Sequence, residues 1–244
     1  MEIYNRQKKV LMSECDHTAT LSIPSFFSGF IDVATEHGDL MGVSSVDLGK
    51  LDLFWVITKS KIKITRKPQL MEEYSIITWP KTPEILRSER FCSFNDDKGV
   101  FALGKTEWIM LKKETFKPSK TTGVYPPNLV FSNQTVLDEP WKKLSDDFSS
   151  FDKEFSYRVK STDIDLSNHM NNAHYIRALF SCLSTKQIEK ANVSELEIHY
   201  RSQCFEGDQL KIRFKKTDEG FIAGFINNKN VAVSVNVVCL PFEL

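Results

Sequence analysis

A chain of 244 residues, 41% hydrophobic, can bury one large core or two smaller ones. Lys+Arg and Asp+Glu both number 32, so no overall field favours nucleic acid or a membrane surface. No run of about 18 apolar residues occurs, which excludes a membrane-spanning helix.

The opening MEIYNRQKKV carries charges with no apolar stretch behind them, so no secretory signal is expected. Cysteines stand at 15, 92, 182, 204 and 239, odd in number, widely spaced and without a CxxC. That pattern fits reduced thiols in a cytoplasmic protein better than a disulfide frame or a zinc site. The Asn-x-Ser/Thr triplets at Asn133 and Asn192 then carry no meaning.

The first strong element is SIPSFFSGFIDVATEHG. Phe27, Phe30, Ile31 and Ala34 recur at helical spacing, and Ser22 or Ser25 can cap the start. Strand-like text follows in KIKITRKPQLMEEYSI (61–76), and in the overlapping KSKIKITRK Lys59, Lys61 and Lys63 alternate with Ser60, Ile62 and Ile64. This predicts one basic face, either a solvated strand or edge protected by lysine or a docking patch for an acidic partner, and one buried face. FNDDKGVFALGKTEWIML then reads as a β-hairpin turning at DDKG. Trp55, Trp79 and Trp108 fall in strand-like runs.

The join between the copies, at roughly 117–153, holds KPSKTTGVYPPNLVFSNQTVLDEPWKKLSDDFSSF, whose prolines and polar clusters mark a linker. Val124, Tyr125, Leu129, Val130 and Trp141 are expected to pack onto the body.

Beyond the linker the same unit recurs. NNAHYIRALFSCL repeats the helical stripe with Ile176, Leu179, Phe180 and Leu183, and Asp165 precedes Ile176 as Asp16 precedes Phe27. ELEIHYRSQCFEGDQL matches 61–76, with Leu196 and Ile198 opposite Ile62 and Ile64, and Glu206 opposite Glu72. FINNKNVAVSVNVVCL matches the earlier hairpin. The expected architecture is α+β, two tandem helix-and-sheet units at 1–120 and 153–244 joined by a linker at 121–152. Paired units in one chain resemble a dimer, so a homodimer of whole chains is left open.

Comparing the copies separates fold from chemistry. Where the first has DHTATLSIPSFF, the second has DLSNHMNNAHYI: His169 faces Thr20, Asn171 faces Ser22 and His174 faces Ser25. A helix cap needs one Ser, Asp or Asn, not an imidazole and amide cluster. The cluster therefore reads as a reaction centre.

DIDLSNHMNN resembles the D-x-N-x-H-x-N-N signature of the acyl-acyl-carrier-protein thioesterases, plant and bacterial proteins of double-hotdog fold. LFWVITKSKIKITRKP, YSIITWPKTPE, RSERF, GKTEWIML and IHYRSQCFEGD are similar too, in the family's order from about residue 10 to 240. The resemblance implies hydrolysis of a fatty acyl thioester on acyl carrier protein, with no cofactor, and makes acyl carrier protein the partner. It places Asp165 and His169 at the thioester carbonyl. Ser167 stands where the family has Asn, and Gln203, before Cys204, stands where a Glu is usual.

A glutamine amide cannot accept a proton from water, so Asp165 is the carboxylate aligned as general base or nucleophile. His169 can polarise the carbonyl, position water or donate to the leaving sulfur. Backbone amides near Asn171 and Asn172 offer an oxyanion site. Cys204 as a nucleophile with His169 is the alternative mechanism; its apolar reading is a small core residue. Phe27, Phe30 and Trp55 read as core, and the resemblance implies that some of this cluster lines an acyl pocket. His17, His37, His174 and His199 lack a carboxylate or cysteine at ligand spacing, so no metal site is expected. Acyl-CoA hydrolysis and non-catalytic acyl binding are the competing functions.

Overall fold

The computed structural model describes residues 2–239; Met1 and residues 240–244, including the Leu240 that ends the last hairpin motif, lie outside them. The chain divides into two compact units, Met1–Glu139 and Pro140–Leu244.

The first unit comprises β1 (Tyr4–Lys9), α1 (Ile23–Leu40), α2 (Ser45–Gly49), β2 (Leu53–Ile64), β3 (Glu73–Pro80), β4 (Ser88–Asp96), β5 (Gly99–Lys112) and β6 (Pro118–Ser119). Its antiparallel sheet runs β1-β3-β4-β5-β2, with β6 on β5. Ser22 caps α1, its hydroxyl accepting from Ser25 N at 3.3 Å, with Pro24 in the first turn. The buried face of α1 is Ile23, Phe26, Phe27, Phe30, Val33, Ala34 and His37. Ile31 sits at the margin of that face, half-buried, and Phe26 and Val33 take the inward places.

Gly104 of β5 sets how closely α1 approaches the sheet. A Cβ there would lie 2.7 Å from Cys92 Sγ and 3.1 Å from the Phe30 ring. Gly104→Ala is expected to cost about 1–3 kcal/mol and to lower the thermal midpoint by several degrees in a calorimetric scan. Near the other end of α1, Arg90 Nη1 lies 3.0 Å from His37 Nδ1 and donates to Thr78 Oγ1 at 3.3 Å. Burial pulls the Arg90 pKa down to about 10, so the guanidinium is still charged at neutral pH.

The lysine-rich strand differs from expectation. Lys61 is 1% exposed, with Nζ 3.5 Å from Glu139 Oε1; Lys63 contacts the same carboxylate, and Lys59 pairs with Glu107 at 3.1 Å. The Lys63 hydrogen bond, helped by Lys61, outweighs burial and holds the Glu139 carboxyl at about 2. Only Lys61 is buried; Lys63 keeps a 43% exposed side chain while sharing the Glu139 carboxylate, so the strand is less openly basic than its alternation implies.

The proline-rich join packs rather than hangs free. Thr121 N bonds Ile85 O at 2.9 Å and Trp79 Nε1 donates to Gln134 O at 2.8 Å. Val124 and Trp55 pack on the Leu48, Leu53 and Met110 cluster, whereas Val130 is exposed. Residues after 139 fold onto the second unit: Arg213 Nη1 donates to Phe148 O at 3.0 Å, and the Phe148 ring fills the space a side chain at Gly224 would need.

The second unit comprises β7 (Lys153–Arg158), α3 (Asn172–Ser181), α4 (Thr185–Lys190), β8 (Val193–Tyr200), β9 (Gln209–Thr217), β10 (Gly220–Asn227) and β11 (Asn230–Cys239), with antiparallel order β8-β11-β10-β9-β7. The β10–β11 hairpin turns at Asn228 and Lys229, both at positive φ, as a tight primed turn requires. Ile176, Leu179 and Phe180 are the buried stripe of α3, and Leu183 is buried just past its end. Among the described residues no helix is long and apolar enough to cross a membrane.

Candidate functional site

The cluster at 163–175 is a folded-back loop between a single 3-10 turn, Ser161–Asp163, and α3. An isolated bridge, Ile164 to Met170, closes it. Inside, Asp165 N donates to His169 O at 3.0 Å and Asn168 N to Asp165 O at 3.0 Å. Ser167 N donates to Asp165 Oδ1 at 2.8 Å, an Asx turn. Asn168 sits at φ 62°, a conformation asparagine tolerates.

This folding returns residue 169 over residue 165. His169 Nδ1 stands 4.0 Å from Asp165 Oδ1, and both side chains are largely buried, 13% and 21% exposed. Among the described residues, His169 Nε2 is buried without a hydrogen-bond partner and Asp165 Oδ2 accepts no hydrogen bond. At 4.0 Å the Nδ1–Oδ1 contact is too long for a hydrogen bond, so Asp165 keeps Oδ2 and the imidazole keeps both ring nitrogens uncommitted among the described residues.

Met170 N donates to Cys204 O at 2.8 Å, which lays the Gln203–Cys204 stretch alongside the loop. The Ser167 hydroxyl and the Gln203 amide make no hydrogen bond to described residues. Asn171 is the cap of α3, its Oδ1 accepting from Ala173 N at 2.9 Å while its own N–H goes to Asp163 O at 2.9 Å. That leaves the Asn172 N–H as the unspent amide of this turn, a narrower oxyanion site than the sequence suggests. Asn172 O accepts from Tyr200 OH at 3.0 Å.

The first unit builds the same loop with other chemistry. A 3-10 turn, Met12–Glu14, precedes a Cys15 to Leu21 bridge; Asp16 N donates to Thr20 O and Thr18 N to Asp16 Oδ1, each at 2.9 Å, and Ala19 takes φ 57°. Leu21 N donates to Pro68 O as Met170 N does to Cys204 O, so Lys67 occupies the place of Gln203. Lys67 Nζ lies 2.9 Å from Asp16 Oδ2. Burial pushes the Asp16 carboxyl up, but the Thr18 and Lys67 hydrogen bonds prevail and hold it below the usual range. The first copy closes its aspartate with an ion pair and has threonine where the second has imidazole.

The pairing of the copies needs one correction. Val10 N donates to Glu72 O and Val159 N to Asp208 O, both at 3.0 Å, so Glu72 corresponds to Asp208 and not to Glu206. The strands carry the same shift: Thr65 N donates to Phe101 O and Arg201 N to Ala232 O, so Ile62 and Ile64 correspond to Ile198 and Tyr200 rather than to Leu196 and Ile198.

Cys204 is fully buried; its sulfur is hydrogen-bonded to Tyr175, and Asn227 Nδ2 lies 3.9 Å away. Burial pushes its pKa up, so it stays a thiol at neutral pH, a poor nucleophile. Cys204→Ala is expected to keep kcat/KM within about threefold of wild type, since a buried cysteine behaves as a small hydrophobe; initial rates of thioester cleavage check this.

Two histidines have acidic neighbours that spacing did not reveal. His174 Nδ1 lies 3.4 Å from Asp163 Oδ1, and His199 Nε2 lies 2.8 Å from Glu197 Oε1. Asp163, Tyr157 and Tyr175 also escaped the sequence reading, although Glu14, at the place of Asp163 in the first copy, was the available signal. Phe27 and Phe30 pack α1 on its sheet, and Trp55 donates from Nε1 to Val43 O at 3.2 Å beside Trp108 and Tyr125.

Comparison with known proteins follows the division of the chain. Residues 1–124 match the model of the acyl-ACP thioesterase N-terminal domain, and residues 147–236 match that of the C-terminal domain. An acyl-[acyl-carrier-protein] hydrolase, FATB2, chloroplastic, of Cuphea viscosissima is 22% identical over 215 residues, covering 83% of this chain and 52% of the relative. A chloroplastic palmitoyl-acyl carrier protein thioesterase of Cuphea hookeriana is 20% identical over 215 residues with the same coverage. The chain spans about half the length of these curated relatives.

Among solved structures, an acyl-ACP thioesterase from Bacteroides thetaiotaomicron superposes with a TM-score of 0.86 at 18% identity, over 97% of each chain. A 12:0-ACP thioesterase from Umbellularia californica gives 0.84 at 15% identity, over 97% of this chain and 96% of that one. At such identities the likeness carries the fold, two hotdog units in tandem.

Proposed function

Because the chain belongs to the acyl-ACP thioesterase family, we propose that it hydrolyses fatty acyl thioesters of acyl carrier protein, releasing free fatty acid and the carrier thiol at one centre per chain. The observation that carries this reading is the Asp165–His169 pair, 4.0 Å apart, with Asp165 Oδ2 and His169 Nε2 left over for water and substrate.

In this mechanism the thioester carbonyl lies against the start of α3. Asp165 takes a proton from water through Oδ2, and the resulting hydroxide attacks the carbonyl carbon. The oxyanion is met by the Asn172 N–H, with the positive end of the α3 dipole behind it. His169 Nε2 orients the water or the carbonyl. Collapse expels a thiolate whose conjugate acid has a pKa near about 8.5, a leaving group that needs little protonation. A single carboxylate is therefore sufficient, and Gln203, which has no basic oxygen, and Ser167 serve as hydrogen-bonding groups around the substrate. Asn171 holds the helix start that presents Asn172. The cysteines, unbonded among the described residues, support a reducing, cytoplasmic setting.

Purified protein incubated with matched acyl-carrier-protein and acyl-CoA substrates tests the proposal. Free fatty acid should appear, with the higher kcat/KM on the carrier protein. Faster turnover of acyl-CoA would make it an acyl-CoA hydrolase, and binding without cleavage would make it an acyl-binding protein.

A further inference from the structure

The catalytic stretch holds a second imidazole, His174, and the first copy shows that the fold does not call for one there. Ser25 occupies its place, and Ser25 Oγ donates to Glu14 O at 2.8 Å. In the second copy His174 Nδ1 approaches the side chain of the corresponding acid, 3.4 Å from Asp163 Oδ1, with the two side chains 25% and 11% exposed.

Asp163 ties together three segments. Its Oδ2 accepts from Lys160 N at 2.8 Å and from Tyr157 OH at 2.9 Å, and its carbonyl accepts from Asn171 N at 2.9 Å. Glu14 makes the parallel ties, accepting from Leu11 N at 3.2 Å and Ser22 N at 2.9 Å. The difference lies in charge. Lys8 Nζ, 2.6 Å from Glu14 Oε1, neutralises the first acid permanently. Tyr157 stands at the place of Lys8 in the second copy, and a neutral phenol hydrogen-bonds to Asp163 without cancelling its charge. Burial and the Asp163 carboxylate both push the Tyr157 pKa up, so the phenol remains a donor. The side chain that the second copy brings to Asp163 in place of a lysine is His174, whose buried Nδ1 has no hydrogen-bond partner among the described residues and faces Asp163 Oδ1 at 3.4 Å.

We propose that Asp163 and His174 are positioning residues for the hydrolysis described above: their pairing fixes the first turn of α3 and so aims the Asn172 N–H at the oxyanion. The inference rests on that mechanism. Asp163 holds the residue immediately before Asn172 through the Asn171 N–H, and His174 lies two residues after it, so the pair brackets the donor on both sides. Neither residue touches the reacting atoms.

The first copy supplies the controls. His174→Ser installs the residue the same loop carries at 25, and Asp163→Glu installs the acid it carries at 14. His174→Ser is expected to lower kcat about tenfold on an acyl thioester with KM unchanged, the cost of a displaced transition-state donor, while the thermal midpoint stays at the wild-type value. Asp163→Asn should lose a similar factor, and Asp163→Glu should recover most of it. The proposal is overturned if wild type turns over normally and His174→Ser matches it in kcat, or if the loss lies in KM, or if it tracks a fall in thermal midpoint. Failure of wild type to cleave any thioester would instead remove the mechanism on which the proposal stands.

Discussion

Asp165→Asn is expected to lower kcat by about three orders of magnitude with little change in KM. The substitution is close to isosteric. An asparagine Oδ1 can still accept the Ser167 N–H that shapes the loop at 2.8 Å, so the turn and the return of His169 should survive. What disappears is the basic oxygen. Gln203 cannot replace it, because an amide has no lone pair of comparable basicity, and Cys204 is a buried thiol whose pKa is raised. No other carboxylate touches His169 among the described residues. Stopped-time assays of fatty acid release with unchanged circular dichroism would check the size of the loss. A variant within a few-fold of wild type would show that the base lies elsewhere.

His169→Gln is expected to lower kcat by about a hundredfold, a smaller loss because the thiolate leaves without strong acid help. The fold tolerates a non-imidazole here, since Thr20 occupies the same loop position in the first unit and leaves the Asp16 N to Thr20 O bond intact at 2.9 Å. The double variant Asp165→Asn/His169→Gln should be no slower than Asp165→Asn alone. Two groups acting on one water lose their joint contribution when either is removed. Losses that multiply would mean the two side chains act on different steps.

The helix starts, the hairpin turns and the buried stripe of α3 were legible in the sequence because each depends on neighbours a few residues away. Ser22 and Asn171 cap where short oxygen-bearing side chains precede an apolar stripe, and the NNKN motif turns at Asn228–Lys229. The pairing of Asp165 with His169 was legible for the same reason, through a loop present twice with one imidazole added. The α1 face shifted toward Phe26 and Val33 because two overlapping helical stripes fit that text, and only packing decides between them. The strand pairing of the copies, from Ile62 to Glu72, slipped by two because a two-residue shift of register preserves the in-and-out alternation of a strand, so periodicity is blind to it. Lys61 looked solvated from its own strand, and only the fold brings Glu139 to it. His174 and His199 likewise meet Asp163 and Glu197 through turn geometry and β-spacing, which metal-ligand spacing does not describe.

Two loops of matching backbone, one closed by an Asp16–Lys67 ion pair and one left open at Asp165, amount to a claim that the first unit supports the fold and the second performs the reaction. Steady-state kinetics of Asp16→Asn and Asp165→Asn, assayed side by side on one acyl-carrier-protein substrate, test it most directly. Asp16→Asn is predicted to keep wild-type kcat, at some cost in stability, while Asp165→Asn is nearly inactive. Equal losses in the two variants, or the greater loss at Asp16, would contradict it.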